Sequence, residues 1–422
     1  MKRGVFSKFY WLFICSFFCI PFTSKAYSVL THEAIVDALW EKSMRPLLIL
    51  HYPGVSEVQL KAAHAYAYGG SIAPDMGYFP FGSRLFTDLV HYVRSGDFTD
   101  ALLNDATDVN EYAFALGFLC HYMADKSGHF IATNRCVPIV YPSLKLKFGD
   151  VVTYAEDKVS HKRTEFAFDV LQTAKGNYAS QAYHDFIGFS IPRSLLERAF
   201  RETYGLELSS VFVNFSLAVN TLRWSVMSLL PVLTRSAWVI KKDEILTLQP
   251  TATSRTFRYK MNKANYYQEP GKRKHNPGIF ANVLSWLIRV LPKIGPLQTL
   301  KIVTPGPVAE KLFIQSFDSV LVSCSSSMNQ LSAGNIKLSN IDFDTGIQTA
   351  PGEYKLADIA YGSLLVRLRK KDFNQTNTAL RNSLLEFYSN PQVKLAAKNG
   401  RQSRIKIARA LAQLRNSRAK IL

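Results

Sequence analysis

The spacing of apolar side chains predicts helices along most of residues 27–244. Apolar positions recur three and four residues apart, which is the pattern of one buried helical face. The clearest such stretches are residues 58–68, 85–93, 112–125, 155–172, 194–204 and 209–230. No run of alternating apolar and polar residues occurs before residue 245. We therefore predict an all-helical domain over residues 27–244.

The remainder of the chain has a more mixed pattern. Helical spacing returns at residues 357–369 and 374–388, and residues 394–422 predict a strongly basic amphipathic helix. Strand-like composition occurs at residues 319–322 and 334–343, whereas residues 255–274 are typical of a linker. Residues 280–300 favour either a buried helix or a helix in a membrane interface. We predict a mainly α protein whose region 245–422 is mixed, partly helical and of unknown role.

Residues 1–26 have the three parts of a secretory signal peptide. A basic start precedes an apolar run and a small-residue exit at Ser24-Lys25-Ala26. The run is shorter than the roughly 20 residues of a comfortable transmembrane helix, so a cleaved leader is favoured over a retained anchor. Cleavage makes Tyr27 the first residue and predicts export to the periplasm, the cell surface or the medium.

The overall charge narrows the choice of partner. The chain has 422 residues and a formal net charge of +19, and it stays strongly basic without the leader. Such a surface favours polyanions, namely anionic lipid headgroups, nucleic acid or acidic glycans. Beyond the leader the cysteines are Cys120, Cys136 and Cys324, an odd set that does not describe a disulfide framework. We expect Cys120 to lie in the core.

Two pairs of potential metal ligands occur at helical spacing. His121 and Asp125 are four residues apart on one predicted helix, and His161 and Glu165 repeat the arrangement on a later one. Gly128 predicts the end of the first helix, after which His129 can turn back toward the pair. Imidazole nitrogen and carboxylate oxygen are zinc ligands. One pair alone is a common surface feature, but the repetition favours a metal site.

Three further candidate metal ligands, namely His32, Asp75 and His91, lie upstream of these pairs. His32 precedes a helical pattern, and His91 lies within another. Gly69-Gly70 and Pro74 predict a bend that aims Asp75 inward.

With these residues in order, residues 27 to about 240 resemble the secreted bacterial zinc-dependent phospholipase C family. Its ligands run as terminal residue, His, Asp, His, His-x-x-x-Asp, His and His-x-x-x-Glu. The matching residues are Tyr27, His32, Asp75, His91, His121, Asp125, His129, His161 and Glu165. Tyr27 replaces the usual Trp, and His129 follows Asp125 at a shorter interval than in the best-known members. The resemblance implies a helical fold and a cleft with three Zn²⁺ ions.

The resemblance also implies a role for each residue. One zinc takes Asp75, His91, His121 and Asp125, a second takes His129, His161 and Glu165, and the third takes His32, Asp125 and backbone atoms of Tyr27. Asp125 thus bridges two ions, and Asp75 is also the expected general base. Paired zinc ions acidify water and stabilise charge on phosphoryl oxygens.

Three functions remain open at this point. The first is a phospholipase C that cuts a glycerophospholipid at a membrane surface into diacylglycerol and a phosphorylated headgroup. The second is a related three-zinc single-strand nuclease, which the basic charge and the interval from Tyr27 to His32 would suit, although Glu165 stands where we expect Asp in those nucleases. The third is a non-enzymatic basic protein that binds lipid or another polyanion and carries a degenerate metal site.

Overall fold

The computed structural model describes residues 29–175, 177, 190–226, 241, 243–247, 301–334, 336–390, 397 and 400–417. Within these ranges the fold is helical and contains no β-strand, apart from an isolated bridge between Ile341 and Gln348. The prediction of a mainly α fold is confirmed. The predicted leader, the linker at 255–274 and the apolar stretch at 280–300 lie outside the described residues.

The helical elements between residues 29 and 224 carry every candidate ligand except Tyr27. Their bounds are α1 Val29–Leu39, α2 Arg45–His51, α3 Glu57–Ile72, α4 Arg84–Tyr92, α5 Ser95–Asn104, α6 Val109–Gly128, α7 Asn134–Val140, α8 Pro142–Phe148, α9 Lys158–Ala174, α10 Arg193–Tyr204, α11 Leu208–Val211 and α12 Phe215–Trp224. Short π-helical turns span Trp40–Met44 and His129–Thr133, and a 3₁₀ helix spans Ala73–Tyr78. The later helices are α13 Pro307–Ser332, α14 Lys355–Arg369, α15 Thr378–Phe387 and α16 Gly400–Asn416.

Helix α6 is buried along most of its length and packs along α3. Glycines allow the two backbones to meet, because a Cβ on Gly70 would lie 1.9 Å from the carbonyl oxygen of Phe114. A Cβ on Gly117 would similarly lie 1.9 Å from the carbonyl oxygen of Ala67. The prediction of a bend at Gly69-Gly70 is therefore wrong, since α3 continues to Ile72 and the glycines serve close helix packing.

The turn that carries Asp75 begins at Ala73, next to Pro74, and not at Gly69-Gly70. Pro74 occupies the first turn of the 3₁₀ helix Ala73–Tyr78, where its missing N–H leaves no hydrogen bond unmade. The hydroxyl of Thr87 donates to the carbonyl oxygen of Pro74 at 2.6 Å and accepts from the backbone N–H of Gly77 at 2.8 Å. This ties the turn to α4 and holds Asp75 in the interior.

Gly128 does not stop the helix as predicted. Its φ of −62° and ψ of −51° are ordinary helical values, and the chain runs on through the π-helical turn His129–Thr133 into α7. Single π-helical turns inside helices are frequent at functional sites because the wider turn re-aims side chains. His129 therefore reaches the site one turn beyond Asp125 without a reversal of the chain.

The strand predictions at 319–322 and 334–343 are also wrong. Residues 319–322 lie inside α13, whose buried positions follow helical spacing: Ala309, Phe313, Ser316, Val320, Cys324, Ser327 and Met328. The serines and Cys324 on this face are small, so the helix can pack closely against its neighbours. This tertiary packing outweighs the strand propensity of the local sequence. The described residues near 338–343 are irregular, with a turn beginning at Phe343 and the isolated bridge noted above.

Helices from both sides of residue 244 contribute to a common hydrophobic cluster, in which Phe118 and Phe200 lie with Phe343 and Leu364. The domain boundary at 244 itself stays a prediction. The free cysteines are buried, as expected for Cys120. In the described part of the chain, no helix combines the length and apolarity needed to cross a bilayer.

Candidate metal centre

The elements around α6 bring most of the candidate ligands together in the interior. His32 comes from α1, Asp75 from the 3₁₀ helix, His91 from the last turn of α4, His121 and Asp125 from α6, His129 from the π-helical turn, and His161 and Glu165 from α9. Each of these side chains is buried, with at most 2% of its surface exposed. Tyr27 lies outside the described residues, so its role stays a prediction.

The first group of ligand atoms surrounds the carboxylate of Asp125. Its Oδ2 lies 3.2 Å from Nε2 of His121 and 3.6 Å from Nε2 of His91. Oδ1 of Asp75 lies 3.4 Å from the same nitrogen of His91. These nitrogen and oxygen atoms are close enough together to surround one cation.

His32 approaches the opposite oxygen of Asp125. Its Nε2 lies 3.5 Å from Oδ1, and its ring stacks on that of His121 at a centroid distance of 4.3 Å and an angle of 14°. One oxygen of Asp125 thus faces His32 while the other faces His91 and His121. This is the placement that a carboxylate needs to bridge two metal ions.

A second group forms between the π-helical turn and α9. Oε1 of Glu165 lies 2.8 Å from Nδ1 of His161 and 3.5 Å from Nε2 of His129. The ligand atoms of His129, His161 and Glu165 lie within 4.8 Å of one another, as do those of two further sets that share His121, namely His32–His121–Asp125 and Asp75–His91–His121.

These donor atoms fit a cation better than they fit one another. Within the described residues, Nε2 of His121 and His129 and the carboxylate oxygens of Asp125 are buried without a well-formed hydrogen bond. The 2.8 Å contact between Nδ1 of His161 and Oε1 of Glu165 also lacks the geometry of a hydrogen bond. Burial of a carboxylate without such compensation is strongly unfavourable. A mixture of imidazole nitrogens and carboxylate oxygens is the donor set of Zn²⁺.

The remaining ring nitrogens are held by acceptors that fix which nitrogen faces the centre. Nδ1 of His91 donates to the carbonyl oxygen of Thr87 at 2.9 Å, and Nδ1 of His121 donates to that of Ser71 at 2.8 Å. Nε2 of both rings thereby faces the carboxylates of the centre. Such contacts orient metal-binding histidines and raise their basicity.

His129 and His161 are fixed in the same manner but by different partners. Nδ1 of His129 donates to the carbonyl oxygen of Phe343 at 2.8 Å, and Nε2 of His161 donates to Oδ1 of Asn134 at 2.9 Å. His161 is therefore predisposed to bind metal through Nδ1, whereas His129 would bind through Nε2.

The electrostatics of the site favour positive charge. Burial disfavours the charged ring of His129, but the carboxylates of Glu165, Asp125 and Asp344 outweigh this effect and raise its pKa to about 9. Burial likewise opposes protonation of His121, yet the carboxylates of Asp125 and Asp75 raise the pKa of His121. A metal cation can take the place of these protons in the same field.

Residues 31–214 match the model of the family described as zinc dependent phospholipase C. These residues belong to that family. The match spans every candidate ligand from His32 to Glu165, which confirms the family resemblance inferred from their order. No curated protein and no solved structure is found to match the chain. The role of each individual residue in this phospholipase C domain stays a prediction.

Sequence reasoning missed residues that orient the ligands rather than supply them. Asp169 lies one helical turn beyond Glu165 on α9, and its carboxylate accepts from the backbone N–H of Leu30 at 3.2 Å and from the hydroxyl of Thr31 at 2.7 Å. It anchors the start of α1 and so the position of His32. The spacing of His161, Glu165 and Asp169 along one helical face was a signal that could have found it.

Proposed function

We propose that the chain is a zinc-dependent phosphodiesterase of phospholipase C type, which releases diacylglycerol and a phosphorylated headgroup from a glycerophospholipid. The observation that carries this proposal is the placement of Asp125 between His32 on one side and His91 and His121 on the other. It supports adjacent metal positions in a domain of the zinc-dependent phospholipase C family.

The residues would divide into three zinc positions. Asp75, His91, His121 and Asp125 would hold one ion, His129, His161 and Glu165 a second, and His32, Asp125 and the terminal Tyr27 a third. Zinc in such a site makes water acidic at neutral pH and polarises phosphoryl oxygens. The carboxylate of Asp75 would accept the proton of the attacking water, because it is buried beside His91 at the same centre.

Single-strand nuclease activity is the alternative that a specific observation favours. The strongly basic charge of the chain would suit a nucleic acid as well as an anionic membrane. Glu165 weighs against it, because we expect Asp at this place in the nucleases. A non-enzymatic polyanion-binding protein receives less support, since no ligand candidate from His32 to Glu165 is displaced from the centre.

We also propose that the protein acts outside the cytoplasm and contacts a membrane surface. The leader pattern of residues 1–26 supports export. Helix α16 supports surface contact, because Arg401, Arg404 and Arg409 are exposed along with Ile405. Basic side chains beside an exposed apolar one suit an anionic lipid interface.

An assay on two substrates tests this function. The protein beginning at Tyr27 is loaded with Zn²⁺ and given phosphatidylcholine vesicles or single-stranded DNA, with and without chelator. We expect diacylglycerol from the vesicles, loss of that activity with chelator and no cleavage of the DNA. DNA cleavage without lipid hydrolysis would establish the nuclease, and inactivity on both would favour the binding protein. The variant Asp75→Asn should lose hydrolysis, whereas Asp150→Asn, the same change at an exposed carboxylate that pairs with Lys145, should retain it.

A further inference from the structure

A segment outside the family match is docked on the phospholipase C domain. Residues 338–346, here called the docking segment, follow α13 and lie against α5 and α6. The hydroxyl of Ser95 donates to the carbonyl oxygen of Ile341 at 2.6 Å and accepts from its N–H at 3.0 Å. The hydroxyl of Tyr122 donates to the carbonyl oxygen of Ser339 at 2.8 Å.

The centre of the docking segment reaches the candidate metal site. The backbone N–H of Phe343 donates to the carbonyl oxygen of His91 at 3.1 Å, and its own carbonyl oxygen accepts from Nδ1 of His129 at 2.8 Å. The ring of Phe343 packs against those of His91 and His121 at centroid distances of 5.0 and 5.8 Å. Phe343 therefore touches ligands of both groups.

The same segment also orients His161, through Asn134. The side-chain amide of Asn134 donates to the carbonyl oxygen of Asp344 at 2.7 Å, which leaves its Oδ1 to accept from Nε2 of His161 at 2.9 Å. Because the donation identifies the NH₂ end of the amide, the oxygen must face the histidine. Consecutive carbonyl groups of Phe343 and Asp344 thus control both histidines of the His129–His161–Glu165 group.

The side chain of Asp344 adds a negative charge behind His129. Its Oδ1 lies 3.6 Å from Nδ1 of that ring, and its Oδ2 accepts from the hydroxyls of Tyr92 at 2.8 Å and Tyr354 at 2.5 Å. The carboxylate is fully buried. A carboxylate or carbonyl behind a ligating imidazole fixes the tautomer and strengthens the ligand.

We infer that the docking segment is an integral part of the metal centre, with Phe343 and Asp344 acting as positioning residues for the zinc held by His129, His161 and Glu165. This rests on the proposed metal centre and extends it beyond the matched family region. The segment presents acceptors to the non-ligating nitrogens, so it acts on zinc through the histidines. Loss of such partners typically weakens metal binding by about 10–100-fold.

Two glycines provide a matched test. Gly346, at the end of the docking segment, has a φ of +71°, and a Cβ there would lie 2.2 Å from the carbonyl oxygen of Lys126 on α6. Gly334 has the same φ of +71°, but a Cβ there would meet nothing within 4 Å. Alanine therefore costs a similar backbone strain at both positions, while only Gly346→Ala pushes the docking segment away from α6.

The measurement is zinc binding by the full mature chain, by competition with a chromophoric chelator and by elemental analysis. We expect Gly346→Ala to weaken one zinc by about 10–100-fold and the others by much less, because the segment's carbonyl groups orient only His129 and, through Asn134, His161. Gly334→Ala should bind zinc as the unmodified protein does. Equal zinc affinities in both variants and the unmodified chain would overturn the inference, and so would equal weakening of every zinc, which is what a merely structural role predicts.

A second variant identifies which zinc is affected. Glu165→Gln removes a ligand of the same group, so combining it with Gly346→Ala should cost little further zinc binding, because both changes act on one site. A full additional loss would place the effect elsewhere and overturn the inference. If Gly346→Ala fails to fold by circular dichroism, Asp344→Asn decides, and we expect it to weaken the same single zinc; unchanged zinc binding in that variant would overturn the inference.

The zinc-binding measurements test this inference independently of which substrate the protein hydrolyses. Absence of phosphatidylcholine hydrolysis would refute the proposed lipid activity but leave the zinc measurements valid. An unmodified chain that binds no zinc would overturn the metal centre and the docking segment's role together.

Discussion

Asp125 is the residue on which the arrangement of the centre depends most. Its two carboxylate oxygens face different histidines, with His32 near Oδ1 and His91 and His121 near Oδ2. Glu165, in contrast, presents Oε1 to both His129 and His161. The geometry therefore predicts that Asp125 contributes to two metal positions and Glu165 to one.

Replacement of these carboxylates by amides tests that difference. Asp125→Asn should lose more bound zinc than Glu165→Gln, because the neutral amide weakens two positions rather than one. Elemental analysis of the purified variants gives the comparison, and Asp150→Asn serves as a control at an exposed position outside the centre. Equal zinc content in Asp125→Asn and Glu165→Gln would contradict the bridging role.

At the scale of single residues, the sequence was enough to identify the candidate ligands but not the groups that hydrogen-bond to them. The i, i+4 pairs His121–Asp125 and His161–Glu165 are local, so helical periodicity is sufficient to place each pair on one face. Asn134 and Phe343 orient histidines through contacts that only the folded chain creates. A backbone carbonyl such as that of Phe343 has no side-chain signature at all.

At the scale of elements, the close contact of α3 with α6 fixes the frame of the site. The carbonyl oxygen of Ser71 near the end of α3 accepts from His121 on α6, so the separation of these helices controls the orientation of that ring. Gly70 and Gly117 make the approach possible. Local sequence reading assigned the Gly69-Gly70 pair to a bend, because glycine at a turn and glycine at a helix contact look alike without the partner helix.

Gly70→Ala should separate the two helices. A Cβ there meets a backbone oxygen at 1.9 Å, which cannot move aside as a flexible side chain would. We expect a loss of unfolding free energy toward the upper end of the roughly 1–3 kcal/mol typical of overpacking and a weaker zinc affinity. The control is Gly306→Ala, where a Cβ would meet nothing within 4 Å. Equal melting temperatures of the two variants, measured by circular dichroism, would show that the helix contact tolerates expansion.

At the scale of the whole molecule, chain segments that are far apart in sequence meet at one centre. The ligand candidates come from α1 to α9, while the docking segment arrives from beyond residue 330. The order of ligand types along the chain was enough to predict the helical fold and the family of the first part. Residues 245–422 carry no comparable pattern, so the contact of Phe343 with His129 could be found only in the structure.

Removal of the leader before Tyr27 and binding of the full set of zinc ions are predicted to be linked. Asp169 anchors Leu30 and Thr31, which fixes the start of α1 close to the centre. If Tyr27 lends a free amine to zinc, a chain that begins at Tyr27 should bind one more zinc than a chain with Lys25 and Ala26 retained, because an amide nitrogen has no available lone pair. The longer chain should also lose most of its activity. Equal zinc content and equal turnover in the two chains would refute the terminal ligand.

The most direct test of the zinc-dependent phospholipase C assignment is to remove the metal from the mature protein and restore it in steps. Zinc would link helices that are distant in sequence, so its binding energy adds to folding. We predict that chelator lowers the melting temperature and abolishes phosphatidylcholine hydrolysis. Both should return as Zn²⁺ is added, up to about three ions per chain by the count of ligands, and neither should return with Mg²⁺. A melting curve that chelator leaves unchanged, together with hydrolysis that needs no zinc, would contradict the account.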